Sequence, residues 1–352
     1  MHKIKIEKSK KRHQKVSNHY KILSLNEVNM KPEQYKFIPK KVNKQIQIIL
    51  KIFFIIILYF LYNIDNYITI PLFSKIKACV CVIGKNENKY VQEFINHYRN
   101  LGYNHIYIYD NNDGNGEKFE DVLKSELNSN FVSIINYRGK LSIYYVGGPQ
   151  CLAYKDCYEK HKNEYDWLSF FDFDEFLEVK PHANTIQEFL GNSRFKKCQN
   201  IKINFLYYSD NDLLYYDSRP IQERFTTPLW NHSMNGVVKS TVRGGMKENY
   251  WKTKCCVHTS YANVTNCNAQ GEIIPYDSGH IHRNLSYARL KHYYTKSVEE
   301  YVKKTKRGDS FIPIAYNDAW KRKRIKRYFD FNNYTIEKEN LFKILFKLKK
   351  SK

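Results

Sequence analysis

The chain has 352 residues, of which 42% are hydrophobic, and it carries a net charge of +23. That length supports one large domain or two small ones with a buried core, so we do not expect disorder in the middle of the chain. Most of the positive charge lies at the ends, with +10 on residues 1–45 and +9 on residues 319–352. The rest of the chain holds only +4, which disfavours a nucleic-acid groove, because such a groove carries its charge on the folded body. We interpret both ends as basic tails that contact anionic surfaces.

An apolar segment, IQIILKIFFIIILYFLYNI, spans residues 46–64. It reaches the roughly 20 residues that cross a bilayer if Lys51 extends its ammonium toward the headgroups. It begins too late for a signal peptide and has no small-residue cleavage site. The alternative is a buried core helix. Because the basic residues 1–45 precede it, the positive-inside rule predicts a single-pass type II anchor, with a cytosolic tail. Residues 65–77 would be a linker to a body in an ER- or Golgi-like lumen.

Cysteine and asparagine patterns also bear on the compartment. The eight cysteines form no CxxC pair, which disfavours a zinc site. Cys255, Cys256 and Cys267 lie close in the sequence and could form a disulfide in an oxidising compartment, but the spacing leaves the pairing open. The body also contains N-x-S/T triplets, the acceptor pattern for N-glycosylation in a lumen, at Asn231, Asn263, Asn284 and Asn333.

Strand and helix patterns alternate after the linker. Short apolar, β-branched or alternating runs predict strands at 78–83, 105–109, 132–137 and 167–171. Apolar residues at helical spacing predict helices between them, at 91–101, 118–127 and 150–160. This order predicts an α/β fold of Rossmann-like type, with a mostly parallel sheet and helices on both faces.

Polar and acidic residues follow three of these strands, at Gly84–Glu87, Asp110–Asp113 and Asp172–Glu175. Ligands of such sheets bind at the carboxyl ends of the strands, so we expect these residues to share one site. The first segment is not a GxGxxG fingerprint, which disfavours an ordinary dinucleotide site, and the sequence has no Walker loop.

Asp172 and Asp174 flank Phe173 at the end of the apolar run WLSFF. Acids crowded at one strand end repel one another, and a divalent cation such as Mg²⁺, Mn²⁺ or Ca²⁺ relieves that repulsion. The cation would bridge the diphosphate of a nucleotide sugar and stabilise charge on the leaving nucleotide. The alternative is an exposed acidic loop, which the apolar residues on both sides disfavour.

Four segments resemble the family 92 glycosyltransferases and their relatives in the GT-A superfamily, which includes family 2. They are CVIGKNENKYVQEFINHYRNLGYNHIYIYDNN at 81–112, QCLAYKDCYEKH at 150–161, YDWLSFFDFDEFLEV at 165–179 and LKHYYTKSVEEYVKKTKRG at 290–308. The resemblance implies a GT-A catalytic domain over residues 78–318, a UDP-sugar donor, and Mn²⁺ (or Mg²⁺) as cofactor. It also implies transfer of a hexose, galactose-like, to a glycan or glycoprotein acceptor, with inversion.

The resemblance assigns roles by position. Asp172 and Asp174 would bind the metal, with Asp172 also contacting the ribose and diphosphate. Glu87 and Asp110 would face the nucleoside. An acid at the Asp110 position can accept the imide N–H of uracil, which adenine and cytosine lack, so we expect a preference for uridine. The alternative is that Asp110 only caps its turn.

Further residues follow from the same resemblance. Gln150 and Lys155 would open a helix beside the diphosphate, the alternative being ordinary helix surface. The third metal ligand would be His258, with His292 as the second choice, and each could instead be a structural histidine. The segment Lys296–Gly308 otherwise has the pattern of a charged, solvated helix that ends at Gly308.

An inverting enzyme needs a general base for the acceptor hydroxyl. The sequence offers Glu248 and Asp277 as candidates only, without an unmistakable acidic pair after Asp174. Two other readings compete: a metal-dependent phosphodiesterase or nuclease that uses the same acids, and a membrane-tethered basic nucleic-acid-binding protein. The first would need a second acidic cluster and the second a basic folded body, and the sequence favours neither.

Overall fold

The structure is a computed structural model that describes residues 46, 49–57, 76–139, 148–247, 258, 264–274, 279–308 and 317–348. The chain divides into two units, Met1–Asp65 and Asn66–Lys352. Residues 46 and 49–57 of the first unit are helical, and their apolar side chains are exposed. None of the helices among the described residues is long and apolar enough to span a bilayer. The predicted tail, the remainder of the predicted anchor and most of the predicted linker lie outside the described residues.

The second unit is a mixed α/β structure. Its described strands are β1 (Ala78–Gly84), β2 (His105–Asp110), β3 (Val132–Asn136), β4 (Trp167–Phe170), β5 (Glu175–Glu178), β6 (Asn200–Tyr207), β7 (Val238–Arg243), β8 (Asn266–Asn268), β9 (Ile273–Ile274) and β10 (Arg289–His292). Its described helices are α1 (Asn88–Asn100), α2 (Phe119–Val122), α3 (Gly148–His161), α4 (Ile186–Leu190), α5 (Ile221–Arg224), α6 (Val298–Arg307), α7 (Asp318–Phe329) and α8 (Ile336–Phe346), with 3-10 turns at Ser193–Phe195 and Ser233–Gly236.

The strands form one sheet in the order β3-β2-β1-β4-β7-β6-β10-β5, and β8 pairs with both β6 and β9. The first four strands in that order are parallel, as the alternation of strands and helices predicts. Beyond them, β7 runs antiparallel to both neighbours and β5 runs antiparallel to β10, whereas β10 is parallel to β6. The sheet is therefore mixed rather than mostly parallel, because the second half is not built from strand–helix–strand units.

Strand β1 is central and is covered on both faces. Alternate side chains point to opposite faces of a strand. On one face Val80 packs in the same cluster as Phe94 of α1, and on the other Cys81 packs with Tyr158 of α3. Continuous burial on two faces explains the unbroken apolar run of the β1 sequence.

Two disulfides occur among the described residues. Cys81 on β1 is bonded to Cys157 on α3, and Cys198 is bonded to Cys267 on β8. Cys267 thus pairs with a cysteine that precedes it by 69 residues, rather than with Cys255 or Cys256 nearby in the sequence. The sheet brings Cys198 and Cys267 together because β8 runs alongside β6, which begins just after Cys198.

Residues 317–348 are folded, which differs from the predicted basic tail at 319–352. Helices α7 and α8 pack on α6 through aromatic side chains, with Tyr328 lying 5.1 Å from Tyr301 and 4.9 Å from Phe342 between ring centroids. The buried Lys338 on α8 pairs with Asp210 at 2.7 Å. Although this segment has a net positive charge, it also carries an apolar stripe. That stripe packs the two helices against the body.

Candidate active site

The predicted acids lie in the turn between β4 and β5. Phe173, at the centre of that turn, is buried, and its ring centroid lies 4.9 Å from that of Phe94 and 5.3 Å from that of Phe119. Gly84, at the end of β1, lies against the same ring, so a Cβ at that position would clash with it. This packing fixes the turn at the carboxyl ends of the parallel strands and holds the flanking Asp172 and Asp174 in place.

Asp172 is held from two sides. Its Oδ1 accepts hydrogen bonds from Gln150 Nε2 at 2.6 Å and from the Tyr154 hydroxyl at 3.1 Å. Its Oδ2 lies 2.9 Å from Lys239 Nζ, which β7 contributes. Burial raises the pKa of Asp172, but Lys239 outweighs that effect and brings the pKa below its ordinary value. The structure therefore places the predicted Gln150 in contact with the predicted Asp172.

Asp174 is buried and is surrounded by basic groups. Its Oδ2 accepts hydrogen bonds from Lys304 Nζ at 2.6 Å and from Lys296 Nζ at 3.2 Å, and its Oδ1 lies 3.7 Å from His292 Nε2. Burial alone would raise the pKa of Asp174, but Lys296, Lys304 and His292 hold it well below its usual range. The carboxylate is therefore ionised at physiological pH.

Asp174, Glu175 and His292 form a group that could hold a metal ion. One ligand atom from each lies within 4.8 Å of the others, and all three residues are buried. Among the described residues, Glu175 Oε1 and His292 Nδ1 are buried without a hydrogen-bond partner. Burial lowers the pKa of His292 to about 3, so the ring is neutral. Burial and Asp172 raise the pKa of Glu175 well above its usual range, which is a cost that a bound cation relieves.

Two of the three donors are carboxylate oxygens, which suit hard divalent cations such as Mn²⁺ and Mg²⁺. His292, the second choice from the sequence, belongs to the group. His258, the first choice, is half-buried, and its Nδ1 lies 2.6 Å from the Val238 carbonyl oxygen. Burial lowers the pKa of His258 to about 4, and the charges of Lys239 and Asp172 also act on it. His258 therefore lies in the field of the acids, and its role as a ligand stays a prediction.

The two predicted nucleoside residues are both buried and both paired. Asp110 Oδ1 accepts hydrogen bonds from the backbone N (3.0 Å) and Nδ2 (2.7 Å) of Asn112, and its Oδ2 accepts one from Arg138 Nε at 2.8 Å. Glu87 lies 2.6 Å from Arg307 Nη1. The geometry of Asp110 is that of the turn-capping alternative, whereas Glu87 lies beside the basic groups of α6.

The remaining predicted residues are Lys155, Glu248 and Asp277. Lys155 is on α3, as expected, and is exposed. The base candidates Glu248 and Asp277 lie outside the described residues.

Sequence reasoning missed the basic half of the site, which consists of Lys239, Lys296, Lys304 and Arg307. Two signals could have indicated it. Lys239 lies among the β-branched residues of strand β7, and a lysine in a buried strand needs an acidic partner. Ser297 and Glu300 form a capping box that marks the start of α6, so Lys296 is the residue just before the cap.

A mixed α/β sheet with a buried acidic cluster at its strand ends is the arrangement of an enzyme site. The sequence model of glycosyltransferase family 92 matches residues 74–342 of this chain. The chain therefore belongs to glycosyltransferase family 92. This membership favours the glycosyltransferase over the phosphodiesterase, nuclease and nucleic-acid-binding alternatives.

Curated relatives in plants match shorter segments. A glycosyltransferase family 92 protein of Oryza sativa subsp. japonica is 28% identical over 118 residues, which are 34% of this chain and 19% of that protein. One of Arabidopsis thaliana is 30% identical over 111 residues, 31% of this chain and 18% of that protein. The matched segments thus span about a fifth of the relatives' length. The crystal structure of S. aureus TarS is similar at a TM-score of 0.34 and 11% identity, over 76% of this chain and 47% of that chain.

Proposed function

We propose that the protein is a membrane-anchored, metal-dependent glycosyltransferase of the GT-A type. It transfers a hexose, galactose-like, from a UDP-sugar to a glycan or glycoprotein acceptor, with inversion. The observation that carries the proposal is the buried group of Asp174, Glu175 and His292, which lies directly beside Asp172 and Gln150. The sugar, the nucleotide and the inversion rest on the family resemblance.

In the proposed mechanism, Asp174, Glu175 and His292 would hold the divalent cation, with Asp172 next to them. Gln150 and Tyr154 fix the orientation of Asp172 by donating to its Oδ1. The bound cation would supply positive charge where negative charge develops on the leaving diphosphate. Glu248 and Asp277 remain the proposed choices for the base that takes the acceptor proton.

The test removes ligands without removing core volume. His292→Phe keeps an aromatic ring on Tyr207, whose ring stacks on His292 at 4.8 Å, but lacks the ligand nitrogens. Asp174→Asn removes one carboxylate. We expect each variant to lower Mn²⁺-dependent hydrolysis of UDP-galactose by roughly 100-fold or more, the size of the electrostatic effects at catalytic sites.

Controls separate chemistry from folding. Asp121→Asn changes an exposed acid on α2 and is expected to retain full activity. The melting temperature of each variant reports folding, because Asp174→Asn also weakens the pairing of two lysines. Full hydrolysis by a folded His292→Phe variant, or by the unmodified protein in excess chelator, would contradict the metal-dependent mechanism.

A further inference from the structure

The acids of the site are matched by an equal number of basic groups. We define the acid cluster as Glu87, Asp172, Asp174 and Glu175, and the cation cluster as Lys239, Lys296, Lys304 and Arg307. Every member of one cluster lies within 4.0 Å of a member of the other. The two clusters form one network rather than separate pairs, because Lys239 lies near two acids and the charge of Asp174 also acts on Arg307. Without a ligand, the basic groups therefore at least balance the charge of the acids.

Three of the four basic groups come from one segment. Lys304 and Arg307 are three residues apart on α6 and so share a face of the helix. Lys296 precedes the N-cap of α6, with a φ of 54°, in the left-handed region that residues other than glycine rarely adopt. It is only 4% exposed. Strained backbone of this kind persists where the surrounding structure enforces it, and it is concentrated at ligand sites.

We propose that the cation cluster couples the binding of metal and diphosphate, so that a divalent cation binds the acid cluster tightly only together with a nucleoside diphosphate. Lys304 and Arg307 exchange their partners Asp174 and Glu87 for phosphate oxygens when both ligands enter. This inference rests on the proposed function and adds to it the roles of the α6 side chains.

Charge balance gives the physical reason. A divalent cation alone adds two positive charges to a network whose basic groups already balance its acids, and Asp174 Oδ2 is already held by two ammonium groups. A diphosphate brings negative charge that restores the balance and offers Lys304 and Arg307 charged acceptors in place of the acids. Each ligand then raises the affinity for the other by the same factor, as linkage requires.

The experiment is a calorimetric titration of the full chain with MnCl₂, with UDP, and with each in the presence of the other. We expect saturating UDP to raise the affinity for Mn²⁺ at least about tenfold, within the usual range of coupling between sites. Lys304→Met removes one positive charge and keeps the length of the side chain. It should raise the affinity for Mn²⁺ alone, lower the affinity for UDP, and shrink the coupling.

The matched control is Lys303→Met, which changes the neighbouring exposed lysine on α6, paired with Glu299, and should leave both affinities unchanged. If Lys304→Met does not fold, Arg307→Gln carries the same expectation.

Equal Mn²⁺ affinity with and without UDP in the unmodified protein overturns the coupling and leaves the proposed function standing. Weaker binding of Mn²⁺ alone by a folded Lys304→Met variant also overturns it, because damage to a metal site lowers affinity whereas removal of a competing cation raises it. Absence of binding by both UDP and Mn²⁺ overturns the proposed function as well.

Discussion

The Asp110 carboxylate has two candidate roles, and each role requires different contacts. As a turn residue it binds the backbone N–H and side chain of Asn112 and pairs with Arg138, and the structure shows these contacts. As a uracil acceptor it would need a lone pair directed into the nucleotide site. A buried carboxylate that already accepts several hydrogen bonds from charged or backbone groups is costly to turn toward a ligand, because each donor would lose its partner.

We therefore predict that Asp110→Ala destabilises the protein and leaves its nucleotide preference unchanged. The loss of hydrogen bonds to a buried charged group should lower the free energy of unfolding by about 1–3 kcal/mol. The measurements are urea unfolding and calorimetric titration with UDP and ADP in the presence of Mn²⁺. Asp113→Ala, which alters an exposed acid of the same turn, serves as the control. A narrower gap between UDP and ADP in Asp110→Ala would instead restore the uracil assignment.

Among single residues, the sequence predicts a place in the site for those whose chemistry and whose position in a motif both indicate it. Asp172, Asp174 and Gln150 lie close to one another as expected, because the resemblance fixes both their type and their spacing. Lys239 was not predictable in this way, because its partner Asp172 is 67 residues away in the sequence and antiparallel pairing of β4 with β7 brings them together.

At the scale of elements, His97 links helix α1 to strand β5. Its Nε2 lies 2.9 Å from the Leu177 carbonyl oxygen, and its ring packs edge-on against Tyr98 and Phe176. Burial lowers the pKa of His97 to about 4, although the bond to Leu177 acts in the opposite direction. A neutral ring is thus part of the helix–sheet contact.

This contact predicts a pH dependence of stability. The unfolded chain binds a proton at His97 near pH 6.5, whereas the folded chain does so only near pH 4. The stabilisation is therefore fully present above pH 6.5 and is lost as the pH falls from 6.5 toward 4. Lowering the pH from 7.5 to 5 should lower the free energy of unfolding of the unmodified protein. In His97→Gln this decrease should be smaller by up to about 2 kcal/mol.

Urea unfolding at the two pH values measures this effect, with the exposed His182→Gln as the control variant. The comparison between variants matters because burial also lowers the pKa values of His258 and His292, which add to the pH dependence of the unmodified protein. An unchanged pH dependence in His97→Gln would show that another group controls stability in this range.

The predicted elements hold best where one helix separates two parallel strands. The patterns of β1, β2, β3 and β4 and of α1 and α3 indicate their positions within a few residues, because the strands are short apolar or alternating runs and α1 has a periodic apolar face. The predicted helix at 118–127 shortens to α2 at Phe119–Val122. The sequence predicts a basic tail where α7 forms, because its six lysines and arginines outnumber the residues that pack, such as the buried Tyr328.

At the scale of the whole molecule, the site lies where the two halves of the sheet meet. The parallel half contributes Asp172 at the end of β4, and the mixed half contributes Lys239 from β7 and His292 from β10. Sequence periodicity indicates each strand but not which strands become neighbours over long separations. For this reason the acidic half of the site is predictable from one contiguous motif, whereas the sequence signals of the basic half do not show that it lies beside those acids.

The compartment of the body follows from the proposed topology. Disulfides persist in oxidising compartments, and Cys81–Cys157 and Cys198–Cys267 both lie in the second unit. Asn231 and Asn333, two of the N-x-S/T asparagines, are exposed there. Both features favour a lumenal body behind a basic cytosolic tail.

We predict that protease added to sealed microsomal vesicles removes residues 1–45 and spares the body, since the basic flank stays on the cytosolic side. The protected fragment should carry N-glycans, and an Asn333→Gln variant, which changes an exposed side chain, should migrate faster by one glycan if that site is used. Detergent added together with protease is the control, because it exposes the body and must allow its digestion.

Digestion of the body in intact vesicles, with the tail protected, would reverse the orientation. Release of the full-length chain from the membrane by carbonate would reject the anchor, because a spanning helix stays in the bilayer under that treatment whereas a basic tail held by anionic lipids does not.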